Sequence, residues 1–127
     1  MRPTTYSVRF TLYCPDRSSS RPLVGVVDTG ASFTVIPAHI LDQLGIVRAE
    51  QETFILADGS LHNLSIGNAT IELQGAVAPA GVVFGSDPHK TLIGFTTLLN
   101  LRLAVDPVHG RLLPVDRIVL LDEQDTL

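Results

Sequence analysis

The sequence contains a single cysteine, Cys14, among its 127 residues. No intrachain disulfide can therefore form, and nothing argues for an oxidising compartment. Long hydrophobic runs are also missing, because no segment approaches the roughly 18 consecutive apolar residues that span a bilayer. Residues 1–6 lack the apolar core of a signal peptide. We therefore expect a soluble, cytoplasmic protein with no membrane segment.

Charge is scarce as well, at 17% of the residues. Thirteen acidic side chains against nine basic ones give a net charge of −4, with no run of like charges. Such a surface is a poor partner for nucleic acid or for an anionic membrane, so we expect neither. Apolar residues make up 45% of the chain, which is ample for one core and favours burial of surface in an oligomer.

The remaining pattern is one of short strands. Residues 7–14 alternate between apolar and polar side chains, as a half-buried strand does, and residues 23–27 form an apolar, β-branched run. Brief helices are predicted at residues 37–44, where Pro37 begins the helix and Gly45 ends it, and at 95–101. Many short strands at this spacing predict an all-β fold built on a closed or folded-over sheet.

Turn residues predict three hairpins. Asp58-Gly59 lies between the apolar segments 52–56 and 61–66 and is a strong signal for a tight hairpin. A second hairpin is predicted at Gly67-Asn68, and a third at residues 107–110. We expect a single domain over residues 1–127, with its core at about 7–114 and a C-terminal tail at 115–127.

The stretch VVDTGAS, residues 26–32, carries the best candidate chemistry. The strand ends on the carboxylate of Asp28, followed by the hydroxyl of Thr29 and by Gly30, whose amide can face the carboxylate. A carboxylate at the end of a buried strand needs hydrogen bonds to stay ionised. An ordinary Asx turn, common where strands stop, explains the same three residues equally well.

Other catalytic plans find little support in the sequence. The four histidines, His39, His62, His89 and His109, have no i, i+4 pairing and no cysteine cluster near them, so no metal site is expected. No phosphate-binding loop ends in Lys-Ser or Lys-Thr, and no serine lies in a Gly-x-Ser-x-Gly elbow. We therefore expect no cofactor.

In combination, these segments carry a family resemblance. Residues 27–36 (VDTGASFTVI) closely resemble the active-site segment of the retropepsins, the single-lobe aspartic proteases of retroviruses and their cellular and bacterial relatives. The triplet Leu92-Ile93-Gly94 is similar to that family's apolar-apolar-Gly element, and the hairpin at 54–63 lies where the family has its flap. Three features depart from the retroviral pattern: the helix at 37–44, the flap with few glycines, and the tail after Pro114.

The resemblance implies a retropepsin-like closed β-barrel or sheet with a flap hairpin. It further implies an aspartic endopeptidase that acts on a peptide or protein substrate as a homodimer, because the mechanism needs two carboxylates and the chain has one Asp-Thr-Gly. The implied catalytic residues are Asp28 (one from each subunit), Thr29 and Gly30. The implied substrate-binding residues are Ala31 and Ser32 beside the cleft and Ala57, Asp58 and Gly59 at the tip of the flap.

Two other hypotheses stay open at this point. A retropepsin-like domain can dimerise and bind peptides without catalysis, since a fold does not guarantee an activity. A monomeric β-domain with an Asp turn is the third possibility. An apolar substrate preference would follow if Val24, Val26, Ile36, Leu56 and Leu92 line the cleft, although the same residues would also suit the core.

Overall fold

The computed structural model of the chain describes residues 5–115. Within that range the expected strands and two brief helices are present, which confirms the all-β fold class. The strands are β1 (Thr5–Tyr13), β2 (Ser20–Asp28), β3 (Thr34–Pro37), β4 (Glu50–Ile55), β5 (Leu61–Leu73), β6 (Ala76–Gly85), β7 (Leu92–Ile93), β8 (Leu103–Asp106) and β9 (Arg111–Pro114), and the helices are α1 (Ala38–Gln43) and α2 (Phe95–Leu101). Neither of these helices has the length and apolarity needed to cross a membrane.

Seven of the strands form one sheet that closes on itself. Its order is β1-β2-β7-β3-β6-β5-β4, and β1 also pairs with β5. The pairings therefore run in a circuit through six strands and back to β1, with β4 attached outside. The β8–β9 hairpin forms a separate two-stranded sheet. A closed circuit leaves few unpaired strand edges in the described part of the chain.

The hydrophobic core is built by the alternating strands. On β1, Phe10 and Leu12 are buried while Thr11 and Tyr13 are partly exposed, so the period-2 pattern of the sequence places one face inside. Strands β2, β3, β5, β6 and β7 contribute further buried side chains, and α2 packs two leucines against the same core. Burying a leucine or phenylalanine fully contributes about 1.5–3 kcal/mol.

Helix α1 lies where the sequence predicts it. Pro37 immediately precedes its first residue, and Ile40 and Leu41 are buried on one face. Gly45 follows the helix with φ +73°, a left-handed conformation that glycine adopts without strain. The local signals, proline before the helix and glycine after it, were sufficient to place this element.

Of the three predicted hairpins, two are confirmed. β4 and β5 pair across the Asp58-Gly59 turn, in which Gly59 has φ +84°. β8 and β9 pair around the turn that ends at Gly110, whose amide donates to the carbonyl of Asp106.

The hairpin predicted at Gly67-Asn68 is wrong. β5 continues through both residues without turning, and they pair with Val82 and Gly81 of β6. Gly67 is instead a site of close approach, because a Cβ there would lie 2.7 Å from a side-chain atom of Ile46. A glycine that admits a neighbouring chain looks in sequence like a glycine that turns.

The turn that does follow β5 is at Gln74-Gly75. Both residues have positive φ, +52° and +81°, as a two-residue hairpin of this kind requires. The small-residue segment after it is the long strand β6. A C-terminal tail is expected at residues 115–127, and all of it after Val115 lies outside the described residues. The single domain over residues 1–127 stays a prediction.

Candidate active site

Asp28 is the last residue of β2 and lies beside the fully buried Val27. Its Oδ1 accepts a hydrogen bond from the Gly30 amide at 2.9 Å, and its carbonyl accepts from the Ala31 amide at 3.1 Å. An Asx turn is therefore present. Within residues 5–115, Gly30 is the one donor to the Asp28 carboxylate. The other carboxylate oxygen accepts no hydrogen bond from the described residues.

The loop after Asp28 is held by α2. The amide of Phe95 donates to the carbonyl of Ala31 at 2.8 Å, and the amide of Thr96 donates to that of Ser32 at 3.1 Å. The first amides of a helix have no partner within the helix, so these bonds use donors that would otherwise need water. The two residues predicted to border the cleft are thus fixed through their main chains.

Strand β7 brings the start of α2 to this loop. Its two residues, Leu92 and Ile93, lie parallel to Val26 and Val27 of β2, and Leu92 also pairs with Val35 of β3. β7 therefore lies between the strand that ends at Asp28 and the strand that follows the loop. The Leu-Ile-Gly triplet and the Asp-Thr-Gly triplet, 60 and more residues apart in the chain, are brought together by this pairing.

Below the loop lies a buried polar cluster. The hydroxyls of Thr34 and Thr97 are 2.6 Å apart, and the Gly94 amide donates to the Thr34 hydroxyl at 3.1 Å. Both threonines are buried, with 0% and 3% of their surface exposed. The sequence gives no signal for this pair, because neither threonine belongs to a recognisable motif.

Gly94 is required at its position by contact. A Cβ there would lie 2.4 Å from the main-chain carbon and oxygen of Phe33, closer than any side chain tolerates. The structure shows the N-cap of α2 pressed against the main chain of the Asp28 loop.

The β4–β5 hairpin contacts the loop through two aromatic rings. Phe33 and Phe54 meet edge to face, with centroids 5.7 Å apart and planes at 87°. The predicted flap-tip residues lie at the turn of this hairpin, and all three are exposed: Ala57, Asp58 and Gly59. Their role in binding substrate stays a prediction, as do the roles of Thr29, Gly30, Ala31 and Ser32.

The five apolar residues suggested for the cleft differ in burial and do not line one common surface. Ile36 is fully buried in the core. Val24 is 59% exposed and lines a groove of about 480 Å³ with Arg9 and Pro22, and neither Asp28 nor the β4–β5 turn lines that groove. Val26 and Leu92 are partly buried, and Leu56 is 37% exposed. The sequence did not predict the contact between Phe33 and Phe54, because these two residues lie in separate elements of the chain.

The other aspartates in the described range are engaged by local partners. Three of these aspartates have a lowered pKa. Hydrogen bonds from the Cys14 thiol and from Ser18 lower the pKa of Asp16, the Ser60 hydroxyl lowers that of Asp58, and His109 lowers that of Asp106. Such carboxylates stay ionised and are poorly suited to share a proton. The pairs are Asp16 with Ser18, Asp42 with Arg48, Asp58 with Ser60, Asp87 with the amide of His89, and Asp106 with His109 and Arg111.

Metal ligands are not gathered in this part of the chain. Among residues 5–115, no three His, Cys, Asp or Glu side chains form a group that could hold a metal ion.

Comparison with known proteins agrees with this geometry. Residues 19–100 match the family model described as gag-polyprotein putative aspartyl protease. A search of curated proteins finds no match.

Solved structures share the fold at low identity. Simian foamy virus protease is 15% identical with a TM-score of 0.54, over 74% of this chain and 92% of that one. The retroviral protease-like domain of Ddi1 from Leishmania major is 16% identical with a TM-score of 0.53, over 93% and 91% of the two chains. The chain thus has a retropepsin-like fold and belongs to the gag-polyprotein aspartyl protease family.

Proposed function

We propose that the protein is an aspartic endopeptidase that works as a homodimer, with Asp28 of each subunit meeting on the two-fold axis. The observation that carries the proposal is the state of Asp28. It ends a buried strand in a loop fixed by α2, and one of its oxygens accepts no hydrogen bond from the described residues. One chain supplies a single such carboxylate, so a symmetric pair supplies two.

The chemistry follows from two carboxylates at close range. Like charges at such a distance cannot both ionise, so the pair holds one proton between them. The ionised carboxylate accepts a proton from water as the water oxygen attacks the peptide carbonyl carbon. The protonated carboxylate donates to the carbonyl oxygen. The tetrahedral intermediate then collapses and the C–N bond breaks. The carboxyl group that took the proton from water donates it to the leaving nitrogen, and the other carboxylate takes back a proton from the hydroxyl as the carbonyl reforms, which restores one proton on the pair.

The neighbouring residues have supporting roles in this proposal. Within residues 5–115 the Thr29 side chain makes no hydrogen bond, so its hydroxyl can reach the partner subunit. Gly30 is exposed and leaves room for substrate main chain beside Asp28. The hairpin tip at Ala57, Asp58 and Gly59 closes over an extended peptide, adds main-chain hydrogen bonds and excludes water.

The test is a peptide-library digestion with wild-type protein and with the variant Asp28→Asn. We expect cleavage by the wild type, loss of cleavage on addition of a transition-state-like aspartic protease inhibitor, and none with D28N. A sizing column run at the same protein concentration should give a dimer for both forms. Cleavage retained by D28N would contradict the mechanism. A folded wild-type dimer that binds peptides and cleaves none would favour the non-catalytic alternative, and a monomer would favour a simple β-domain.

A further inference from the structure

The contact between Phe33 and Phe54 joins the Asp28 loop to the hairpin. Phe33 follows the loop directly and is 36% exposed. Phe54 is the only position of β4 that is partly buried, while the other five are exposed. In the described part of the chain, β4 pairs with β5 alone. The aromatic pair is therefore where β4 is held against the loop.

Phe33 is a fixed partner in this contact. On its N-terminal side, the carbonyl of Ser32 accepts from the amide of Thr96, and on its C-terminal side Thr34 is hydrogen-bonded to Thr97. The close approach of Gly94 to the main chain of Phe33 adds a third constraint. The ring therefore projects from a main chain that is held on both sides.

Phe54 has a natural control next to it. Side chains alternate along a strand, so Phe54 and Ile55 point to opposite faces of the hairpin. Ile55 pairs with Leu61 across the hairpin, and these two side chains are 75% and 68% exposed. Ile55 and Phe54 have similar β propensity. Replacing Ile55 therefore removes a comparable apolar side chain from the same strand while the contact between Phe33 and Phe54 stays in place.

We propose that Phe33 and Phe54 form a specificity-determining pair that holds the hairpin beside the Asp28 loop and admits an aromatic substrate side chain. This inference rests on the proposed function. A peptide that enters between hairpin and loop has to displace the ring–ring contact. A substrate ring restores that contact best, because aromatic rings attract each other edge to face beyond the burial of area. Small or charged side chains leave both rings without a partner.

The first test measures the hairpin in the free protein. Hydrogen exchange of the amides at residues 50–66 is compared among wild type, Phe54→Ser, Phe33→Ser, the double variant and Ile55→Ser. Loss of one aromatic pair is expected to lower protection by about 2- to 12-fold in F54S and F33S. The double variant should lose no more protection than either single variant, and the protection in I55S should match that of the wild type. Equal losses in I55S and F54S would overturn the inference.

The second test measures selectivity without turnover. In the D28N background, affinity is measured for two series of peptides that differ only by Phe or Ala at each position flanking the scissile bond. One position should favour Phe by about 10-fold or more, the discrimination expected of a well-filled apolar pocket. Phe33→Ser and Phe54→Ser should abolish this preference, and Ile55→Ser should retain it. Equal affinity for Phe and Ala peptides throughout, or no binding of either, would overturn the inference.

The active enzyme gives an independent readout. Phe33→Ser and Phe54→Ser should lower kcat/KM more for the Phe peptides than for the Ala peptides, mainly through KM, and Ile55→Ser should keep the wild-type ratio of the two. Selective binding of the Phe peptides by D28N, together with no cleavage of any peptide by the wild type, refutes the proposed catalysis and supports the ring pair. Cleavage without any preference refutes the ring pair and supports the catalysis.

Discussion

Thr34 and Thr97 lie 63 positions apart in the chain, and their hydroxyl oxygens are 2.6 Å apart in the core. Thr34 also accepts the Gly94 amide, so one hydroxyl group joins β3, the N-cap of α2 and the interior of α2. The Asp28 loop lies directly before β3 and is bonded to the start of α2. The pair therefore supports the geometry of the candidate site from beneath.

The two threonines should differ in their contribution to stability. Thr34→Val leaves the Gly94 amide and the Thr97 hydroxyl without a partner, at a cost of about 2–4 kcal/mol in the free energy of unfolding. Thr97→Val keeps the Gly94–Thr34 bond and should cost about 1 kcal/mol. Urea denaturation at one fixed protein concentration measures both values. An equal loss in the two variants, or a larger one in T97V, would show that the Gly94 bond contributes little.

Gly94 should tolerate no side chain. The Cβ of Gly94→Ala would meet the main chain of Phe33 at 2.4 Å, so relief requires movement of the Asp28 loop or of α2. We expect a loss of about 3 kcal/mol or more, or failure to fold. Gly81→Ala is the matched control, because a Cβ there has only ordinary contacts at 3.8 and 3.9 Å. A lower melting temperature for G81A than for G94A would contradict the requirement for glycine at position 94.

Asp16 should make stability depend on pH in acid. Hydrogen bonds from the thiol of Cys14 and the hydroxyl and amide of Ser18 lower the pKa of Asp16 from 3.8 to about 2. A folded-state pKa below the unfolded value contributes stability that is present above about pH 4 and lost as the pH falls towards 2. In Asp16→Asn this contribution to the loss of stability in acid should vanish, and in Ser18→Ala it should become smaller. Urea midpoints measured between pH 2 and 6 give the comparison, and identical slopes in wild type and D16N would refute it.

Catalysis should have an acidic optimum. The proposed mechanism needs one proton on the pair of Asp28 carboxylates, so activity should fall when both are ionised. Peptide cleavage from pH 3 to 9 measures the profile, with circular dichroism at each pH to separate lost activity from unfolding. An optimum well above neutrality would count against a shared proton.

Local signals were enough for much of this fold. The alternation on β1, the Asp58-Gly59 hairpin and the helix at Phe95–Leu101 all lie where the sequence places them. Each depends on neighbours within a few residues: the polarity of alternate side chains, a turn dipeptide, or a glycine before a helix. The resemblance of the Asp-Thr-Gly segment identified the family for the same reason, since the motif is contiguous.

Contacts between distant segments could not be predicted in this way. Gly67 was assigned to a turn, yet it makes room for Ile46 of another segment, because glycine has the same local preference in both settings. The hydrogen bond of Thr34 with Thr97 and the contact of Phe33 with Phe54 join separate elements, and neither leaves a mark on local composition.

For this protein the sequence alone determined most of the strands, the short helices and the strand-end carboxylate of Asp28, because these follow from local polarity and backbone preference. Tertiary structure decided how that carboxylate is held: β7 lies between β2 and β3, and the start of α2 is hydrogen-bonded to the loop. Tertiary structure also decided that Phe33 of the loop contacts Phe54 of the β4–β5 hairpin. These relationships depend on strand pairing and close packing across the whole domain, which local periodicity does not encode.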